Sequence, residues 1–211
     1  VALSTDMQER IFTTLIQDSS MKPKTVYLVD KPVAAGLGLG INVKEAQGVL
    51  IVDIGAETTE ISVLSLGGIV ISRLIQTGGR SIDDAIQSAI RKEHNFFIGS
   101  KTAESIKKEL AYAINPEEAT MKICGRNMVV GLPQMLEISA DFVYSAIKEQ
   151  LGIIVDAVKT ILERTPPELG VDIIQNGIYL TGGSARIRKM DELLQEKSVS
   201  AVYSYSDWMP A

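Results

Sequence analysis

One cysteine, Cys124, stands in a chain of 211 residues, so no intrachain disulfide can form, and a reducing compartment suits such a chain. One histidine, His94, leaves that thiol without the companions a zinc site needs. The start of the chain has no basic segment leading into an apolar core, so no signal peptide is read there. No apolar run reaches bilayer length. The strongest, LGIIVDAVKTIL, is interrupted by Asp156 and Lys159 and is too short to span. Positive charge is not in excess either: 21 Lys and Arg face 26 Asp and Glu, a net charge of −5, which argues against general attraction to nucleic acid or an anionic membrane. What remains is ordinary globular material, 45% hydrophobic and 22% charged, enough for one large domain or two small lobes.

The apolar residues fall into helix and strand periods. TDMQERIFTTLIQD puts Met7, Ile11, Leu15 and Ile16 on one helical face. TVYLVDKP reads as a strand ended by Pro32, and PVAAGLGLG as a short helix with a Gly-rich exit. Residues 48–54 form a continuous apolar strand, as at the buried centre of a sheet. EISVLSL, the turn Gly67-Gly68 and IVISRLIQ predict a hairpin. After Gly78-Gly79, Ser81 is expected to open a helix with Asp84 as its capping-box acid, and Ile82, Ala85, Ile86, Ala89 and Ile90 follow helical spacing.

A further helix is expected over Thr102–Ile114, and a hairpin containing Gly125 and Pro133 after it. A long helix over Ala140–Arg164, roughly 37 Å at 1.5 Å per residue, is expected to bury Phe142, Val143, Ala146, Ile147, Leu151, Ile154, Val158 and Ile161 and to end at Pro166-Pro167. GIYL is a last buried strand, TGGS a tight turn, and ARIRKMDELLQE a helix. This order predicts an α/β core over 1–79 and 139–211 with a smaller subdomain inserted at 80–138.

Two turns carry the chemistry. In DIGAETTE, 53–60, backbone N–H groups at the bend and Thr hydroxyls can meet phosphate oxygens, and Asp53 can reach magnesium through water. A plain hairpin with a polar tip accounts for the same residues equally well. In LTGGSARIRK, 180–189, a strand feeds a Gly-Gly turn at a helix N-terminus, where glycines let a ligand approach and the helix dipole favours negative charge. An ordinary strand-to-helix turn also needs such glycines.

Together and in this order these turns, with VYLVDKPVAAGLGLGINV, IGSKTAESIKKELAYA, GRNMVVGLPQMLEIS, TPPEL and GIYLTGGSARIRKMDELL, resemble the bacterial actin-like proteins of the MreB and Mbl type, within the superfamily of actins, heat-shock chaperones and sugar kinases. The resemblance runs from about residue 20 to 200. It implies an α/β, actin-like (ribonuclease-H-like) ATPase lobe, a mixed sheet flanked by helices with a small α+β insertion. It also implies a cytoplasmic filament protein that determines cell shape and binds ATP or ADP with magnesium between two lobes. Asp53, Gly55, Thr58 and Thr59 would face phosphate and magnesium, and Gly182, Gly183 and Ser184 the adenosine. Arg186 stands where the family has an aliphatic residue; it matches the chaperone wording, in which an arginine stacks on adenine, and a solvated surface arginine fits equally. Glu104 and Lys107 would line ribose and base, or form an exposed charged face.

Three departures bear on activity. The family's first phosphate loop is absent, and with it the N-terminal lobe, so the chain is expected to be half of an actin-like clamp. Lys31-Pro32 replaces the family's Glu-Pro, whose carboxylate orients the attacking water; an ammonium has no lone pair for that role. Gly55-Ala56-Glu57 replaces a Gly-rich triplet, and Glu57 would repel phosphate. The first reading is therefore the C-terminal lobe of an MreB-like cytoskeletal ATPase, self-associating into filaments, with no nucleic-acid partner, no direct membrane contact from this lobe and no hydrolysis by this chain alone. The second is a degenerate, non-hydrolysing scaffold or binding module. A third, a sugar-kinase or chaperone relative, is disfavoured by the GLPQMLEIS wording and the small insertion.

Overall fold

The apolar run Val49–Ile54 (β1) lies at the centre of a five-stranded sheet ordered β3-β2-β1-β7-β8. The structure is a computed structural model that describes residues 6–198 and 201–204. Residues 1–5, 199–200 and 205–211, which include Trp208 and both ends of the expected core, lie outside the described residues. Strand β1 runs antiparallel to β2 (Thr59–Ser65) and parallel to β7 (Ile178–Thr181), so the sheet is mixed. Strands β3 (Gly68–Ile75) and β8 (Val202–Ser204) are its edges. A second sheet holds β4 (Phe96–Phe97), β5 (Thr120–Asn127) and β6 (Pro133–Ser139).

Alternation along β1 divides the core. Leu50, Val52 and Ile54 face a large cluster shared with the helices α3 (Gly79–His94), α4 (Ser100–Leu110), α5 (Ala140–Arg164) and α7 (Met190–Ser198). Val49 and Ile51 face a small cluster with Val43 and Leu64, against which Val33 and Ala35 of α2 (Lys31–Gly38) pack. Asp53 shares the parity of Val49 and Ile51 and so belongs to the α2 face. The long helix α5 has the predicted bounds and is capped by Ser139, whose hydroxyl accepts from the Phe142 N–H. Its stripe, with Ile147 and Ile154 fully buried, contributes about 1.5–3 kcal/mol per large side chain.

Several boundaries differ from the sequence expectation. No strand forms over 25–30 among the described residues, and Tyr27 and Val29 are exposed there. Pro32 ends nothing. It sits in the first turn of α2, where its missing N–H costs no hydrogen bond. The β2–β3 turn is centred on Leu66 and Gly67, both with positive φ (52° and 78°), one residue earlier than expected; such a turn matches strand twist. Ser81 does not open α3: the helix starts at Gly79, and Ser81 Oγ accepts from the Gly78 N–H at 2.9 Å, while Asp84 is exposed. Helix α4 stops at Leu110, because Tyr112 pairs with Arg188 in an isolated bridge and the Ala113 N–H donates to the Arg188 carbonyl at 2.8 Å. That bridge needs extended backbone at 187–188. The stretch after the Gly-Gly turn is therefore a single 3₁₀ turn, Gly183–Arg186, and α7 begins only at Met190. Helix α6 (Pro167–Asn176) and strand β8 were not expected. The remaining helix, α1 (Asp6–Gln17), forms as predicted but buries none of its residues.

Candidate functional site

Both candidate turns meet. Parallel pairing sets Asp53 opposite Thr181, so the turn after β1 and the turn after β7 leave the sheet side by side. Ser184 Oγ donates to the Gly55 carbonyl at 3.0 Å, joining one turn to the other. A third segment joins them. The Gly79 and Arg80 N–H groups, at the start of α3, donate to the Gly55 and Ala56 carbonyls at 3.0 and 2.6 Å. The first turn thus presents its carbonyls to α3, and its own Gly55 N–H is closed onto the Thr58 carbonyl at 2.9 Å. Contact this close requires glycine at 78: a Cβ there would lie 2.8 Å from the Gly55 carbonyl oxygen and 2.9 Å from that of Ala56.

Beside this junction opens a cleft of about 930 Å³, lined by Ala56, Gly79, Arg80, Gly183, Ser184, Arg186 and the face of α4 that carries Glu104 and Lys107. The Lys107 side chain is largely buried. Its Nζ donates to the Gly79 carbonyl and to Asp83, each at 2.9 Å. Burial pushes the Asp83 carboxyl above the usual carboxylate range, against the opposing hydrogen bond and charge of Lys107. Glu104 is exposed and pairs with Lys108 at 2.7 Å, which holds its carboxyl below the ordinary range. Arg186 is exposed on the cleft wall.

The expected site residues therefore divide. Gly183, Ser184, Arg186, Glu104 and Lys107 line one cleft. Gly55 lies behind it, its carbonyl bonded by the Gly79 N–H and Ser184 Oγ, Gly182 lines the neighbouring cavity, and Thr58 is partly exposed in the first turn. Thr59 is a correction: it is fully buried, and its hydroxyl donates to the Thr77 carbonyl at 2.7 Å, so its proton is not offered to a ligand. Glu57 is not left as a bare charge against the turn; its carboxylate pairs with the Arg80 guanidinium. Asp53 is already occupied as well. The Lys31 Nζ, carried on the first residue of α2, lies 2.8 Å from Asp53 Oδ2. The sequence reading missed Gly79, Arg80 and Asp83; the signal was present in a second Gly-Gly pair between a strand and a helix, the same device as at 182–183.

The sequence profile of the MreB/Mbl protein family matches residues 5–207. This chain belongs to the MreB/Mbl family. It is 40% identical over 176 residues to the cell shape-determining protein MreB of Escherichia coli K12, covering 83% of this chain and 51% of the relative. To the cell shape-determining protein Mbl of Bacillus subtilis 168 it is 41% identical over 175 residues, covering 82% and 53%. The chain spans about half the length of these curated relatives. Among solved structures it is similar to MreB 5 of Spiroplasma citri bound to AMPPNP, with a TM-score of 0.93 at 36% identity over 98% of this chain and 63% of that one. The same protein bound to ADP gives a TM-score of 0.93. The MamK double helical filament, at 24% identity and a TM-score of 0.77 over 96% of this chain and 61% of that one, shares the actin-like fold. Both the recognition of the family and the fold class read from the sequence are thereby established. No helix among the described residues is long and apolar enough to cross a membrane.

Proposed function

We propose that this MreB/Mbl chain is the nucleotide-gripping second lobe of a cytoplasmic, cell-shape-determining filament protein, and that ATP or ADP lies in the cleft between the Gly182-Gly183 turn, α3 and α4. The observation that carries this reading is the convergence of two Gly-bearing turns and a cationic helix face on one cleft, tied by the Ser184–Gly55 hydrogen bond. Arg80, Lys101, Lys107, Lys108 and Arg186 outnumber the acids of its wall, which suits a polyphosphate. The nucleotide-bound state of MreB 5 of Spiroplasma citri and the filament form of MamK lend support at the level of family and fold. In this reading 1–79 with 139–211 form the core of the lobe and 80–138 its smaller subdomain; partners are further copies of the same protein rather than nucleic acid or membrane. Isothermal titration of the chain with ATP tests it. Saturable binding is expected, weakened about tenfold or more by Gly79→Val, whose side chain would meet Ser184 Oγ and Lys107 Nζ, 2.5 and 3.1 Å from an ideal Cβ. Absence of binding to the unsubstituted chain would reject it.

The Glu57–Arg80 pair supplies a separate prediction. Both side chains are well exposed, so the pair adds little to stability, at most about 1 kcal/mol. Removing only Arg80 leaves the Glu57 carboxylate uncompensated beside the phosphate-side turn. Arg80→Ala is expected to weaken ATP binding roughly three- to tenfold, and Glu57→Gly in the same chain to restore it. A double-mutant cycle by titration checks this; independent, additive effects would show that the two charges do not act as a unit.

The non-hydrolysing reading gains one specific support. Lys31 not only lacks the acceptor that a water-orienting residue needs, but also engages Asp53 directly. No phosphate release by this chain is expected.

Magnesium at Asp53 fits this residue set poorly. A divalent cation held by that carboxylate through water would stand about 4 Å from it, while Lys31 Nζ already sits 2.8 Å from Oδ2. Two cations would then crowd one carboxylate, and the exposed acid of the first turn, Glu57, is taken by Arg80.

A further inference from the structure

We propose that the Lys31 ammonium is the resident counter-cation of Asp53, so that the chain holds a nucleoside triphosphate without a divalent metal at that carboxylate. The inference rests on the nucleotide reading above and concerns what neutralises the carboxylate at the root of the two turns.

The geometry that carries it begins with strand parity. Asp53 points to the α2 face of the sheet, alongside Val49 and Ile51. Helix α2 lies on that face with Lys31 as its first residue, and Pro32 follows in the first turn, which sets the backbone there. The result is a contact of 2.8 Å between Nζ and Oδ2, with the Asp53 side chain 14% exposed and that of Lys31 38% exposed. The carboxylate is enclosed while the ammonium keeps an open side. Asp53 also borders the second turn: its Oδ1 lies 2.7 Å from the position a Cβ would take at Gly182. Thus the pair stands at the root of both turns, at 55–58 and at 182–183, within reach of a polyphosphate that those turns would hold.

An ammonium has three N–H donors. One is used on Asp53, and the others can address phosphate oxygens from the same point. A magnesium ion would do two things at this place: cancel the carboxylate's repulsion of phosphate and bridge to phosphate oxygens. Lys31 does both with a tethered charge, at the cost of the metal's octahedral ordering. The Lys31 side chain, so placed, repels a divalent ion from Asp53, and this same substitution removes the water-orienting acceptor. Loss of hydrolysis and loss of the metal requirement are then two results of one residue.

The test compares ATP affinity of the whole chain in magnesium and in EDTA. The unsubstituted chain is expected to bind within about threefold in the two conditions, whereas Lys31→Gln is expected to lose about tenfold or more when magnesium is withdrawn. Lys31→Arg, which keeps the charge, is expected to resemble the unsubstituted chain. A second readout needs no nucleotide: manganese added to the isotope-labelled protein should leave the amide signals of residues 53–55 unbroadened, and should broaden them in Lys31→Gln. Binding of ATP by the unsubstituted chain only in magnesium, or manganese broadening at Asp53 in that chain, would overturn the inference while leaving the nucleotide reading intact. Absence of ATP binding in both conditions would overturn the nucleotide reading and this inference with it.

Discussion

Gly182→Ala is expected to lower stability by about 3 kcal/mol or more, seen as a fall of roughly 10 °C in the melting temperature. Two causes add. Gly182 has φ of 95°, a region that L side chains adopt only under strain. A Cβ there would also lie 2.4 Å from the Ile54 carbonyl oxygen and 2.7 Å from Asp53 Oδ1. Neither neighbour can retreat, because Ile54 is paired with Thr59 in the sheet and Asp53 with Lys31. The damage therefore reaches the junction of β1 and β7, and with it the Ser184–Gly55 bond between the two turns. Gly183→Ala is the control: its Cβ would meet nothing within 4 Å, and the melting temperature should barely change. Equal melting of the two variants would contradict the packing described for Gly182.

Lys107→Met should cost about 2–3 kcal/mol, and the loss should depend on pH. Lys107 and Asp83 are 12% and 14% exposed, and the lysine also satisfies the Gly79 carbonyl. Methionine keeps the length and apolar stem but leaves Asp83 without its cation. In the native chain the Asp83 pKa is already raised, burial outweighing Lys107. A raised value means that the folded state favours the protonated acid, so the favourable contribution is present at acid pH and is lost as pH rises through the folded-state value. Removing Lys107 removes the two influences that lower it and raises it further. The variant's deficit should be full at neutral pH and shrink as pH falls through the raised value toward the ordinary 3.8. Urea denaturation at several pH values measures this, and a deficit constant across them would show that Asp83 is not its source.

Much of the architecture is legible in the residues themselves. The period of apolar residues over Ala140–Arg164 specifies α5 to its ends, because a helix with one continuous buried stripe, a Ser cap and a Pro-Pro exit has no competing conformation. Val49–Ile54 is buried on both faces, and its unbroken apolar run says so. The stretch Tyr27–Val29 shows the limit. Its β-branched and aromatic content favours extended backbone, but a strand exists only where a neighbouring strand supplies a ladder, and no strand is formed there. Likewise the helical pattern of ARIRKMDELL is delayed to Met190 by a bridge to Tyr112, far away in sequence.

The candidate site divides along the same line. Sequence alone determined the family and the actin-like fold, through the resemblance of its motifs, and it singled out the two turns, since glycines after apolar strands are local signals that need no knowledge of the rest of the chain. It also determined that Lys31 cannot orient a water, because that follows from the atoms of an ammonium. Only the tertiary structure decided where the charges go. Glu57 finds Arg80, Lys107 finds Asp83, and Lys31 finds Asp53, each across a break in the chain of about twenty residues. Pairings of this kind depend on strand parity and on which helix crosses which face. A substitution that reads as damage in the sequence becomes, in the folded chain, one half of a compensated pair.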